Sequence, residues 1–234
     1  MKVGIPSEIK AQESRVGLTP ASVQELINYG HEVIIQNNAG FGAGFENTDY
    51  EKAGAKIAPT AGDVFNDADM IVKVKEPLSE EVNMLRENQI LFTYLHLSAA
   101  PDLTKGLVNS KAICIAYETV TDENNRLPLL APMSAVAGRM SIQAGARSLE
   151  KPLGGRGLLI GGAPGVNPGT VLILGGGVVG ENAAIIAAGM QANVFIVDKS
   201  EARLNQLKSQ FGESITTLLS EDIKLEDYVT NCDL

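Results

Sequence analysis

Gly175, Gly177 and Gly180 stand in the spacing G-x-G-x-x-G, between an apolar run at 170–174 and an Ala-rich, helix-forming segment. A second apolar run follows and ends in Asp198, an acid placed about twenty residues after the glycines, as a dinucleotide fingerprint requires. Each position has its own physical reason. Gly175 permits a tight strand-to-helix turn, Gly177 lets backbone approach a pyrophosphate, and Gly180 lets the helix lie close on the strand. A helix starting near Val178 aims free N–H groups and the positive end of its dipole at the phosphates. Asp198 can accept hydrogen bonds from ribose hydroxyls and would repel a 2′-phosphate, which favours NAD over NADP. Lys199 and Arg203 lie close by and weaken that preference.

A second group of polar residues sits in the first half of the chain. Three β-like runs at 70–74, 90–95 and 112–117, separated by helical segments, imply a parallel sheet wrapped by helices. Ligands of such sheets bind beyond the carboxyl ends of the strands, where Lys75, His96 and Glu118 fall. Lys75 shares a strand face with Lys73, so a pair of solvent-facing edge-strand lysines is the competing reading. His96 lies between Leu95 and Leu97 and fits either a core histidine with a satisfied partner or a proton-transfer group. Arg15 is in a polar loop; facing a crevice, its planar fork would suit a substrate carboxylate.

The elements that must position these residues are legible from punctuation. Residues 2–5 read as a strand stopped by Pro6, Thr19 and Pro20 as a helix start, and Gly30 as that helix's stop. The glycines at 40, 42 and 44 do not follow the fingerprint's frame, and their segment reads as a surface loop. Short helices are expected at 49–53 and 60–66, and a polar, Pro-containing connector at 124–132 marks the domain boundary. The expected class is α/β, with two doubly wound parallel-sheet domains: 1–130 for substrate and 131–234 of Rossmann type for NAD. The net charge of −9 argues against nucleic acid or an anionic membrane as main partner. Cys114 and Cys232 show no metal-ligand spacing and read as reduced thiols, and no apolar run resembles a signal peptide or a membrane span, so a cytoplasmic protein is expected.

Several segments in this order closely resemble the alanine dehydrogenase/pyridine nucleotide transhydrogenase family. They are MKVGIPSEIK from Met1, ESRVGLTP from Glu13, VKVKEP from Val72, LHL from Leu95, LLAPMSAVAG from Leu129 and the Gly175 loop. The nucleotide-binding subunit of proton-translocating transhydrogenase is the nearest competitor, and Arg15, Lys75 and His96 are what an amino-acid dehydrogenase needs beyond it. The resemblance to alanine dehydrogenase implies reversible oxidative deamination of L-alanine to pyruvate and ammonia with NAD as cofactor, in a homo-oligomer, a hexamer in the family. It implies that Arg15 and Lys75 hold the substrate's carboxylate and oxo group, and that His96 is the acid/base residue. Ser134, Val178, Val179, Asp198, Arg203 and Ser220 would contact NAD.

One departure goes with the resemblance. The family's second catalytic residue is an aspartate later in the nucleotide domain, beyond Leu234. A chain of 234 residues is therefore expected to be inactive, with an incomplete second domain, and the 170–174 strand is expected to present an open, association-prone edge.

Overall fold

Near-continuous apolar runs make β1 (Lys2–Ile5), β2 (Glu32–Gln36), β4 (Met70–Val72) and β5 (Ile90–Thr93). Such strands are stable only with both faces covered, and both are. Ile5, Ile35 and Val33 pack with Val23 of α1 (Pro20–Asn28), while Ile71 and Leu91 pack with Val64 and Phe65 of α3 (Ala61–Asp67) and Leu107 of α5 (Pro101–Ser110). With β3 (Lys56–Ala58) and β6 (Ile113–Ala116) these strands form a six-stranded parallel sheet in the order β3-β2-β1-β4-β5-β6. The structure, a computed structural model, describes residues 1–234, which divide into two compact units, Met1–Leu129 and Leu130–Leu234.

Sequence expectation and structure differ at identifiable places. β3 has only three residues, too few for a period to register, and the pattern does not reveal it. β4 stops at Val72 rather than Val74: the Lys73 N–H still donates to the Phe92 carbonyl of β5 (3.1 Å), but the Val74 N–H is taken by a buried carboxylate described below. Thr19 caps α1 as expected, its hydroxyl accepting from the Ser22 N–H.

The second unit holds α6 (Ala131–Ser148), then β7 (Thr170–Leu174), α7 (Val178–Gly189), β8 (Asn193–Asp198), α8 (Glu201–Phe211), β9 (Thr216–Leu219) and α9 (Leu225–Asn231). Its three strands pair in parallel in the order β7-β8-β9. The outer edge of β7 is not bare. Leu172 N–H donates to the Leu234 carbonyl (2.8 Å) and Leu234 N–H to the Thr170 carbonyl (3.2 Å), one parallel bridge on the side away from β8. The Asp233 carboxylate also accepts from Thr170 N–H at 2.8 Å. Only the far end of that edge stays open, with Leu174 at 60% exposure.

Helix α7 is apolar nearly all round and rich in small residues, which lets α6 come within backbone distance of it. A Cβ added at Gly138 of α6 would stand 2.2 Å from the Val179 carbonyl oxygen. Gly138→Val should therefore push the two helices apart and cost about 2 kcal/mol, the range of an overpacked core. Thermal unfolding would read this as a lower midpoint; an unchanged midpoint would mean that the helices do not approach so closely.

Candidate functional site

In the first unit the strand order reverses between β1 and β4, and the loops leaving their carboxyl ends diverge there. Open α/β sheets bind ligands at such a switch point. Arg15 is in the loop after β1, Lys75 follows β4, His96 follows β5 and Glu118 follows β6, so all four sequence-selected polar residues leave the sheet at one end.

The loop carrying Arg15 is pinned to β4. A Cβ at Gly17 would stand 2.7 Å from the Val72 carbonyl oxygen, so only glycine allows that approach. Glu13 orients Arg15 as a two-toothed partner: Nε donates to Oε1 (2.8 Å) and Nη2 to Oε2 (2.5 Å), and the Arg15 N–H also donates to Oε1. Hydrogen bonds from the Arg15 side chain hold the Glu13 carboxyl down at about 2, against an ordinary 4.5. Lys75 and Tyr94 lie within electrostatic reach of this pair.

Lys73 and Lys75 do not form a solvent-facing pair. β4 is an interior strand, and Lys73 is 1% exposed. Its Nζ donates to Oε2 of Glu8 at 3.2 Å and lies 2.6 Å from Oε1 of Glu81, the latter off the direction of a good hydrogen bond. Burial pushes the Glu81 carboxyl up despite this lysine. Glu8 also accepts from the Val74 N–H (2.6 Å) and the Lys75 N–H (3.4 Å), while the buried Thr93 hydroxyl donates to the Lys75 carbonyl (2.9 Å). The Lys75 backbone is thus held on both sides by buried side chains, and its own side chain is left partly exposed.

His96 is exposed, not a core histidine, with φ +50° and ψ +39°. A left-handed backbone at a non-glycine residue is uncommon, and such strain concentrates at functional sites. Glu118 holds it there, accepting from the His96 N–H (2.7 Å) and the Leu95 N–H (3.1 Å), with Oε1 3.9 Å from His96 Nδ1. Burial opposes ionisation of Glu118, but these N–H groups outweigh it and keep the carboxyl below its ordinary value. The Tyr94 ring stacks on the imidazole with centroids 6.0 Å apart.

In the second unit the glycine-rich turn has the geometry its sequence demands. Gly175 has φ +97°, and a Cβ at Gly180 would lie 1.9 Å from the Gly175 carbonyl oxygen. Nothing lies within 4 Å of a Cβ built at Gly177, which leaves a cradle open in front of the first turn of α7. Val178 and Val179 begin that helix with N–H groups that no intrahelical carbonyl can reach, and both are about half exposed. Ser134, on the first turn of α6, borders with Gly175, Gly177, Val178, Val179 and Gly180 a cavity of about 540 Å³. Asp198 ends β8, accepting from the Gly176 N–H (2.6 Å) and the Ser200 N–H (2.8 Å), and these bonds hold its carboxyl below the ordinary range. Ser220 donates its N–H to the Asp198 carbonyl, which places it one strand over. Arg203 does not reach outward: its Nε donates to the Gly176 carbonyl (2.6 Å) and its Nη2 to Glu181.

Comparison with known proteins decides the family. The family models for the N-terminal and C-terminal domains of alanine dehydrogenase/PNT match residues 4–137 and 141–234. Alanine dehydrogenases of Halomonas elongata and Bacillus subtilis are 53% and 52% identical over the whole chain. The chain belongs to the alanine dehydrogenase/PNT family. It spans 63% and 61% of the length of those two relatives. A solved L-alanine dehydrogenase superposes with a TM-score of 0.91 at 51% identity, over 99% of this chain and 64% of that one. A transhydrogenase from Sinorhizobium meliloti shares the fold, with a TM-score of 0.81 at 23% identity, over 100% of this chain and 68% of that one.

Three supporting residues escape sequence reasoning in this member of the alanine dehydrogenase/PNT family. Glu8, Glu13 and Thr93 act on Arg15 and Lys75 through contacts that no local pattern announces, although Glu8 and Glu13 stand in the motifs that carry the resemblance. The Glu13 pair has a pH signature. Its folded value is depressed, so its contribution to stability is complete above about 4.5 and is lost as pH falls toward about 2. Glu13→Gln should lower the urea midpoint near neutral pH, and the gap to the parent protein should close through that acid window. A gap that stays constant down to about pH 2 would show that the pair contributes nothing through its charge.

Proposed function

We propose that this chain carries the substrate-binding and nucleotide-binding residues of an NAD-dependent alanine dehydrogenase, which interconverts L-alanine with pyruvate and ammonia. One observation carries the reading: a guanidinium oriented by Glu13, a lysine whose backbone is held on both sides, and a carboxylate-backed imidazole leave one end of one sheet, beside its switch point. Arg15 takes the substrate carboxylate, and Lys75 polarises the oxo group of pyruvate. His96 removes the proton that leaves as the amine carbon is oxidised and returns it in the reverse direction. Glu118 stabilises the imidazolium that forms.

The cradle of the second unit fits a dinucleotide by its own chemistry. The open face at Gly177, the α7 N-terminus and the Asp198 carboxylate supply respectively room, N–H donors and a ribose acceptor. A bound nicotinamide supplies the hydride acceptor. Gly175, Gly180, Ser134, Val178, Val179 and Ser220 shape or border the cradle, and Asp198 selects NAD over its 2′-phosphorylated form. The transhydrogenase reading is less favoured: its solved example is 23% identical, against about 50% for alanine dehydrogenases. No helix is long and apolar enough to cross a membrane. Both cysteines are free, which agrees with a reducing cytoplasm. We read the assembly as a homo-oligomer by family resemblance.

In a protein of the relatives' length, His96→Ala should lower alanine-dependent NADH formation roughly 10²–10⁴-fold. Unchanged turnover would remove His96 from the mechanism.

A further inference from the structure

The guanidinium beside the ribose-binding acid is already in use. Arg203 stands in the first turn of α8, and each of its three guanidinium nitrogens has a protein acceptor: Nε the Gly176 carbonyl, Nη2 the Glu181 carboxylate and Nη1 the Gln206 side chain at 3.1 Å. Glu181 is on α7, one helix turn after the glycine-rich turn, and both side chains of the pair are about three-quarters buried. Such a pair is directional and little screened by solvent.

A 2′-phosphate on the adenosine ribose would arrive where Asp198 ends β8, carrying nearly two negative charges. Asp198 repels it. Removing that carboxylate would not by itself provide a cation, because Arg203 is neutralised by Glu181 and tied to the Gly176 carbonyl. Lys199, next to Asp198 in sequence, is exposed and has no such tether.

We propose that Glu181 is a specificity-determining residue, which withholds Arg203 from a 2′-phosphate and so reinforces Asp198 in restricting the site to the unphosphorylated cofactor. The proposal rests on the reading of this unit as the cofactor domain. It differs from a simple tie between α7 and α8, which would affect both cofactor forms equally.

The test uses the 234-residue chain and half-cofactor probes, ADP-ribose and 2′-phospho-ADP-ribose, titrated calorimetrically against the parent protein, Asp198→Ser, Glu181→Gln and the double variant. ADP-ribose affinity serves as the folding control. The double variant should move the ratio of the two dissociation constants toward the phosphorylated probe roughly tenfold beyond the product of the single shifts, within the range seen for directly coupled sites. In the double variant, Arg203→Ala should abolish the gain and return 2′-phospho-ADP-ribose binding to that of Asp198→Ser. A double variant whose shift equals the product of the singles overturns the proposal, as does a gain in the double variant that survives Arg203→Ala. A Glu181→Gln protein that loses both probes equally makes the pair structural and overturns it too. If the parent protein binds neither probe, the cofactor reading fails first and the proposal falls with it.

Discussion

The buried ion cluster of Glu8, Lys73 and Glu81 is the constraint on which the first unit's site depends. Lys73 and both carboxylates are 2% exposed or less, so their charges must be met by one another and by nearby N–H groups. Breaking a buried pair by removing one partner costs about 3–5 kcal/mol, because the remaining charge is stranded. Two carboxylates against one ammonium leave an excess that burial resolves by pushing the Glu81 carboxyl up. Through Glu8 the cluster ties the loop after β1 to the chain just after β4, and Glu81 accepts from the Leu78 N–H at the start of α4 (Ser79–Val82). The chain just after β4 is therefore held by buried charge, and Lys75 leaves the sheet from a rigid base.

His96 is placed by a related device. A carboxylate from the neighbouring strand's end accepts two successive backbone N–H groups, and so stabilises a backbone conformation that histidine seldom adopts. Phe92, Tyr117, Tyr94 and His96 make a run of ring contacts alongside, with centroid distances from 4.4 to 6.0 Å. Rings packed at these distances restrict where the imidazole can point. In both cases a buried or half-buried acid acts on backbone rather than on a ligand, and exposed polar groups are left to meet solvent or substrate.

The second unit uses close backbone approach where the first uses buried charge. Its glycines let α7 start against β7 and let α6 lie on α7, while Arg203 covers the turn from the far side. The bridge between Val171 and Leu234 lies on the side of β7 away from β8. Association through a bare β7 edge, expected from sequence, is countered along Thr170–Leu172 by that bridge and by the Asp233 carboxylate.

The glycine turn, the helix after it and the terminal acid were legible in the sequence because each depends on local backbone geometry within a span of about thirty residues. Alternating strands and helices likewise announced a parallel sheet, and with it the strand ends where Lys75, His96 and Glu118 fall. What the sequence could not decide was the environment of individual charges. Lys73 and Lys75 look equivalent two residues apart, yet one is buried among carboxylates 65 positions upstream and 8 downstream, while the other is partly exposed. Arg203 looks available to a phosphate, yet a glutamate 22 residues earlier holds it. Strand order, and therefore the switch point beside Arg15 and Lys75, is likewise a property of the folded sheet. Burial and charge pairing depend on residues that are distant in sequence and adjacent only in space, so they were settled by tertiary structure alone.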